Sequence, residues 1–139
     1  MDATSHAEDP TGTSADRVRR ATDVRVNQEI DRRTDSNIEH YASGTRAEIH
    51  ERLRELDREW DIERVLEVNA STLALTGIAL GATVDRRWLA LPAVVMGFLL
   101  QHGVQGWCPP LPLLRRLGFR TRDEINREKY ALKSALEWP

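Results

Sequence analysis

WLALPAVVMGFLLQHGVQGWCPPLPLL, residues 88–114, contains no Asp, Glu, Lys or Arg. The whole chain has 20 basic and 22 acidic residues among 139. In so charged a sequence, an uncharged run of this length points to an apolar environment. The run before it, VLEVNASTLALTGIALGATV over 65–84, carries one charge, Glu67, close to its start. It has about the 20 residues needed to cross a hydrocarbon core. Asn69, Ser71, Thr72, Thr76 and Thr83 lower its hydropathy, although Ser and Thr can bond to their own helix backbone. Only DRR at 85–87 separates the two runs. The pair reads as a transmembrane helical hairpin between Val65 and Trp107.

The flanks agree with this reading. Trp88 and Trp107 bracket the second run, and nineteen steps of helix rise between them give roughly 28 Å, close to a hydrocarbon thickness. Tryptophan favours the membrane interface because its ring is apolar and its N–H is polar. Pro92 falls in the first turn, where proline costs little. Pro109, Pro110 and Pro112 are expected to end the helix near Cys108. Arg52, Arg54, Arg58 and Arg64 precede the hairpin, Arg115, Arg116, Arg120 and Arg122 follow it, and only Arg86 and Arg87 lie between. The positive-inside rule then places both termini in the cytoplasm. The alternative is a soluble helical-bundle interaction protein, but so small a chain has few helices to cover two apolar ones. The polar QHGVQG at 101–106 is the part least suited to a membrane.

The mean hydropathy of −0.51 reflects two polar arms around an apolar centre. Residues 1–20 are rich in Ser, Thr, Gly, Pro and charge and read as a disordered tail. The opening MDATSHAEDPTGTSAD has neither a basic start nor an apolar run, so it does not read as a secretory signal, and internal segments are expected to direct insertion. Residues 22–60 read as a cytoplasmic helical hairpin. Val26, Ile30, Ile38 and Tyr41 fall near one face, SGT at 43–45 breaks the run, and Thr45 with Glu48 has capping-box spacing. Ile49, Leu53, Leu56 and Trp60 form one stripe, expected to pack on the preceding helix, with the membrane surface as the alternative. Asp61 is placed to cap the next helix. Thr121 and Glu124 repeat the capping-box spacing, and Ile125, Leu132 and Leu136 mark an amphipathic helix over 121–139. The expected fold is therefore all-α: a two-helix transmembrane domain over 61–118 flanked by amphipathic cytoplasmic helices.

Asp61-Ile62-Glu63-Arg64 before the hairpin, and Gly106-Trp107-Cys108-Pro109 with Leu117-Gly118 after it, carry a family resemblance. Over about residues 60–121 the chain resembles the YgaP-like two-helix transmembrane family, which also occurs as the membrane anchor fused to some bacterial rhodaneses. The resemblance implies a bacterial inner-membrane protein with little assigned activity. It does not bring rhodanese chemistry, which belongs to a separate αβ domain with its own cysteine loop.

Few residues are candidates for chemistry. Cys108 is the one cysteine, which excludes an intrachain disulfide and a paired-cysteine metal site. A helix C-terminus disfavours its thiolate, an effect Arg115 and Arg116 would offset by folding back. The plainer reading is a small residue held in the Trp-Cys-Pro turn. His102 near membrane depth is a second candidate, but His102 and Cys108 are too few for a metal. Glu67 is placed to pair with Arg64. Gly77 and Gly81 form a G-x-x-x-G that Ala93 and Gly97 match on the second helix, a packing face within the hairpin or between copies in a homo-oligomer. The near-even charge announces no nucleic-acid surface. No cofactor is implied. The expected partners are the lipid bilayer and a cytoplasmic protein. The leading reading is a non-enzymatic anchor or scaffold; a thiol- or sulfur-handling membrane component using Cys108 is the alternative.

Overall fold

A computed structural model describes residues 14–138, with side chains from Arg17 onward. Among these residues the regular structure is helical, with no strand. The order is α1 (Ser14–Arg20), α2 (Val24–Ala42), α3 (Arg46–Arg58), α4 (Ile62–Thr83), a 3-10 turn (Arg86–Leu89), α5 (Ala90–Gln105), α6 (Leu111–Arg116) and α7 (Arg122–Glu137). Of the expected tail, residues 1–13 lie outside the described part. Its last seven residues form α1, and Val18 on that helix is fully buried.

Helix starts follow local side-chain chemistry. Thr45 and Thr121 each form a complete capping box, with Glu48 and Glu124. Asp61 accepts from the Arg64 N–H at 2.8 Å and opens α4.

Helices α4 and α5 pack side by side as a hairpin, turned at Asp85, whose Oδ1 accepts from the Arg87 N–H at 2.9 Å. The 22 residues of α4 rise ~33 Å, and α5 with its 3-10 turn rises ~32 Å. Two stretches are long and apolar enough to cross a membrane, one within Arg46–Thr83 and the other Arg86–Gln105. Four polar side chains of α4 are satisfied along their own helix. The hydroxyls of Thr72, Thr76 and Thr83 donate to the carbonyls of Val68, Thr72 and Ala79 at 2.7–2.8 Å, and Asn69 Nδ2 donates to Val65 O at 2.9 Å.

The face of α4 that meets α5 is made of small residues: Ala74, Gly77 and Gly81 are buried. The matching face on α5 differs from the expected one. Gly77 sits against Pro92, Leu91 and the Trp88 carbonyl, and Gly81 sits against Leu89. Ala93 and Gly97 are exposed, and a Cβ on Gly97 would meet nothing within 4 Å. The physical reason is the 3-10 entry and Pro92: the flat, donor-free side of the proline ring lies over the glycine gap, and Ala93 and Gly97 rotate outward.

The helix end is also set differently from the expectation. Residues 101–106 turn out of α5 at Gly106, whose φ of 74° is left-handed and whose N–H donates to His102 O at 2.7 Å. A left-handed residue ends a helix most cheaply when it is glycine. The prolines follow this stop and help start α6. Trp107 therefore lies past the helix end, so the nineteen-step rise from Trp88 does not apply.

The remaining helices form a cap around the foot of the hairpin. One core joins Val18, Ile62, Leu66, Cys108 and Leu111; a second joins Ile49, Leu56, Ile125 and Leu132. Helix α7 packs on both α2 and α3, and more extensively than those two pack on each other. Ile49, Leu53 and Leu56 of the stripe are thus covered chiefly by α7, not by α2 alone as the expected 22–60 hairpin required, and Trp60 lies past the end of α3 and stays exposed.

Candidate functional site

The hairpin foot is where the sequence motifs converge. Glu63, in the first turn of α4, accepts from His102 Nε2 at 2.9 Å across the hairpin. His102 is buried, and its Nδ1 makes no hydrogen bond. Cys108 lies beside the imidazole. Gly106 faces α1: a Cβ there would fall 2.6 Å from Arg17 Cβ and 2.8 Å from its carbonyl carbon. Glycine is required here twice, by its dihedral angle and by the approach of another backbone.

Cys108 is only 3% exposed and sits in the apolar core. It is not at the end of α5; its carbonyl accepts from the Leu111 N–H at 3.0 Å as the chain turns into α6. Arg115 does not fold back onto it and turns to Glu124 instead. A thiol buried among Val18, Ile62 and Leu66 lacks the exposure a reactive cysteine needs, and its polar neighbour is the His102 imidazole. Among the described residues, no three His, Cys, Asp or Glu side chains are placed to hold a metal ion. The expected Glu67–Arg64 pair is absent; the Arg64 guanidinium lies over the Trp60 ring, 4.5 Å from its centroid. Trp88 and Trp107 are both partly exposed.

A buried ion-pair network fixes the cap. Arg115 donates to both oxygens of Glu124 at 2.7 and 2.8 Å and to Asn27 Oδ1 at 2.8 Å. Arg19 donates to Glu124 from α1. Arg120 grips Glu59 with Nε and Nη2 and reaches Glu128 at 2.5 Å, and Arg52 donates to Glu128 from α3 at 2.8 Å. Glu128 is 0% exposed. Burial by itself would push the Glu124 and Glu128 carboxyls up, but their arginine partners hold both below the usual glutamate range. Burial likewise works against the charge of Arg120, and its two glutamates raise its pKa. Pairs this deep hold only when their remaining donors and acceptors are satisfied.

Sequence reasoning treated Arg52, Arg115 and Arg120 as bare flanking charges and missed the network. One signal was present. In the α7 stripe Ile125, Glu128, Leu132, Leu136, spaced three, four and four, an acid occupies a position otherwise apolar.

A cleft of about 770 Å³ opens beside this network between α2, α3 and the segment 115–120. Six arginines and two glutamates line it, together with Trp60, Leu117 and Phe119.

Fold and site together define an all-helical protein in which an apolar helical hairpin rises from a charged, ion-paired cap. The chain matches no protein-family model, no curated protein and no solved structure.

Proposed function

We propose that the protein is a small integral membrane protein whose α4–α5 hairpin spans the bilayer and whose cap serves as a non-enzymatic anchor or scaffold on the cytoplasmic side. One observation carries this reading. The two apolar helices cover each other along one narrow face only, leaving Leu75 68%, Val94 53% and Leu100 70% exposed. Leu73, Ile78, Met96 and Phe98 extend the same surface. A hairpin that belonged to a soluble core would have those side chains covered; a continuous apolar surface of this kind marks a membrane or partner contact. The self-satisfied Thr and Asn side chains of α4 remove the main polar penalty of placing it in lipid.

The arginines support a cytoplasmic cap, since the hairpin tip carries only Arg86 and Arg87. Residues 60–121 also fit the YgaP-like resemblance, and with it a bacterial inner membrane. On this reading the motif residues have structural roles: Asp61 caps α4, Ile62 and Cys108 fill the foot core, and Gly106 turns the chain. That favours the scaffold over the thiol-handling alternative, because Cys108 is used for packing.

The test is extraction. Expressed protein is expected to remain in the membrane pellet after alkaline carbonate and after high salt. Release as a folded, monodisperse species would refute the membrane reading and favour a soluble bundle with a covered hairpin.

A further inference from the structure

We infer that the arginine-lined cleft of the cap binds the phosphate headgroup of an anionic phospholipid. The six arginines on its lining divide into two kinds. Arg52, Arg115 and Arg120 are engaged with Glu128, Glu124 and Glu59. Arg25, Arg33 and Arg116 are exposed, and no acid among the described residues pairs with their guanidinium groups. The two lining acids are already neutralised, Glu59 by Arg120 and Glu29 by Arg32. The cleft therefore presents positive charge in excess.

Arg115 also lines the cleft, but its side chain is buried and held by Glu124 and Asn27, so the exposed Arg25, Arg33 and Arg116 are the groups that can meet an anion. Phosphate oxygens suit arginine forks, which donate in pairs to planar or tetrahedral anions.

The position favours a lipid as the source. Trp60, half-exposed on the lining, lies two residues before α4 begins. Leu117, also on the lining and exposed, follows α6, which leads away from the hairpin foot. An indole and a leucine beside unpaired arginines match the boundary where headgroups meet acyl chains. This inference rests on the membrane reading.

The test reconstitutes the full chain in vesicles of phosphatidylcholine with a minor share of phosphatidylglycerol, then counts retained lipids by native mass spectrometry. Wild type is expected to retain phosphatidylglycerol far above its share. The triple variant Arg25→Gln, Arg33→Gln, Arg116→Gln is expected to lose that selectivity by roughly a hundredfold, the ordinary effect of three basic residues near an anionic surface. A control triple, Arg46→Gln, Arg54→Gln, Arg58→Gln, changes exposed arginines off the cleft lining and is expected to keep it. Near-ultraviolet circular dichroism checks that both caps are folded. Equal loss in both triples would mean general surface attraction and overturn the site. Protection of the cap by inorganic phosphate in neutral detergent, equal to that by phosphatidylglycerol, would overturn the lipid as source. Carbonate extraction runs alongside: protein that stays in the pellet without selecting phosphatidylglycerol refutes this inference alone, whereas release of wild type refutes the membrane reading itself.

Discussion

Gly77→Ala is expected to destabilise the hairpin, and Gly81→Ala to leave it nearly unchanged, although the two glycines share one face. A Cβ at position 77 would lie 2.4 Å from Pro92 Cδ, 3.1 Å from Leu91 Cβ and 3.1 Å from the Trp88 carbonyl oxygen. The proline ring is tied to its own backbone and the carbonyl is backbone, so neither can swing aside; α5 has to move as a body. At position 81 the nearest atoms are Leu89 Cδ2 at 2.6 Å and Cγ at 2.7 Å. Leu89 is half-exposed and can change rotamer. Overpacking a close contact costs ~1–3 kcal/mol, and replacing glycine by alanine in a helix returns up to ~1 kcal/mol at either position. The net expectation is a loss of about 2 kcal/mol at 77 and a change within about 0.5 kcal/mol at 81. Gly97→Ala, whose Cβ meets nothing within 4 Å, is the contact-free control and should gain up to ~1 kcal/mol. Reversible unfolding in mixed micelles, followed by far-ultraviolet circular dichroism and tryptophan fluorescence, measures all three. Equal losses at 77 and 81 would refute the assignment of the rigid contact to Pro92. A loss at 97 accompanied by a change in oligomer size would move the packing face to a second copy.

Other expectations concern the cap and the topology. Glu128→Gln removes the charge between Arg52 and Arg120; because these keep Glu55 and Glu59, the cost should be about 2 kcal/mol, below the ~3–5 kcal/mol of a wholly orphaned buried charge, as read by thermal melting of the cap. Glu124 and Glu128 titrate below the usual glutamate range in the folded cap. Their contribution is thus fully present above the unfolded pKa and is lost as pH falls through the folded value, so hydrogen-exchange protection in α7, taken relative to the intrinsic rate at each pH, should fall on acidification while α4 and α5 stay protected. Cys108→Ser should preserve membrane retention and fold at a modest stability cost, and the wild-type thiol should resist alkylation until the cap is unfolded; fast labelling of the native protein would reopen the thiol-handling alternative. In a Cys108-free background, Asp85→Cys should react with an impermeant thiol reagent in intact spheroplasts and Ser134→Cys only after lysis; the reverse pattern would refute the cytoplasmic cap.

The elements were largely legible in the sequence because they depend on local rules. Thr45, Asp61 and Thr121 cap the helices their spacing announces, and the apolar runs become α4 and α5 with the DRR connector between them. Contacts between elements were less legible. Gly77 and Gly81 were identifiable as a close-packing face, but which side of α5 meets them depends on the 3-10 entry at Arg86–Leu89, which side-chain periodicity does not encode. Helix α1 was hidden because a single buried valine, Val18, in a charged heptapeptide gives no periodic signal. The arginines around the hairpin were visible as charges, but their partners were not, since Arg19 and Glu124 meet across 105 residues.

That separation along the chain has a consequence for the order in which events occur. Synthesis runs from the N-terminus, so Arg19, Arg52 and Arg115 emerge before the glutamates that later hold them, Glu124 and Glu128. Under the membrane reading, α4 and α5 are complete while these arginines still lack those partners. Arg19 and Arg52 already have Asp31 and Glu55 within reach, but without Glu124 and Glu128 the flanks carry more positive charge as the hairpin enters than in the finished cap. Only when α7 follows do its acids close the cap and cancel the charges. On that reading the flanks are at their most basic while the hairpin is entering, before the finished cap balances them.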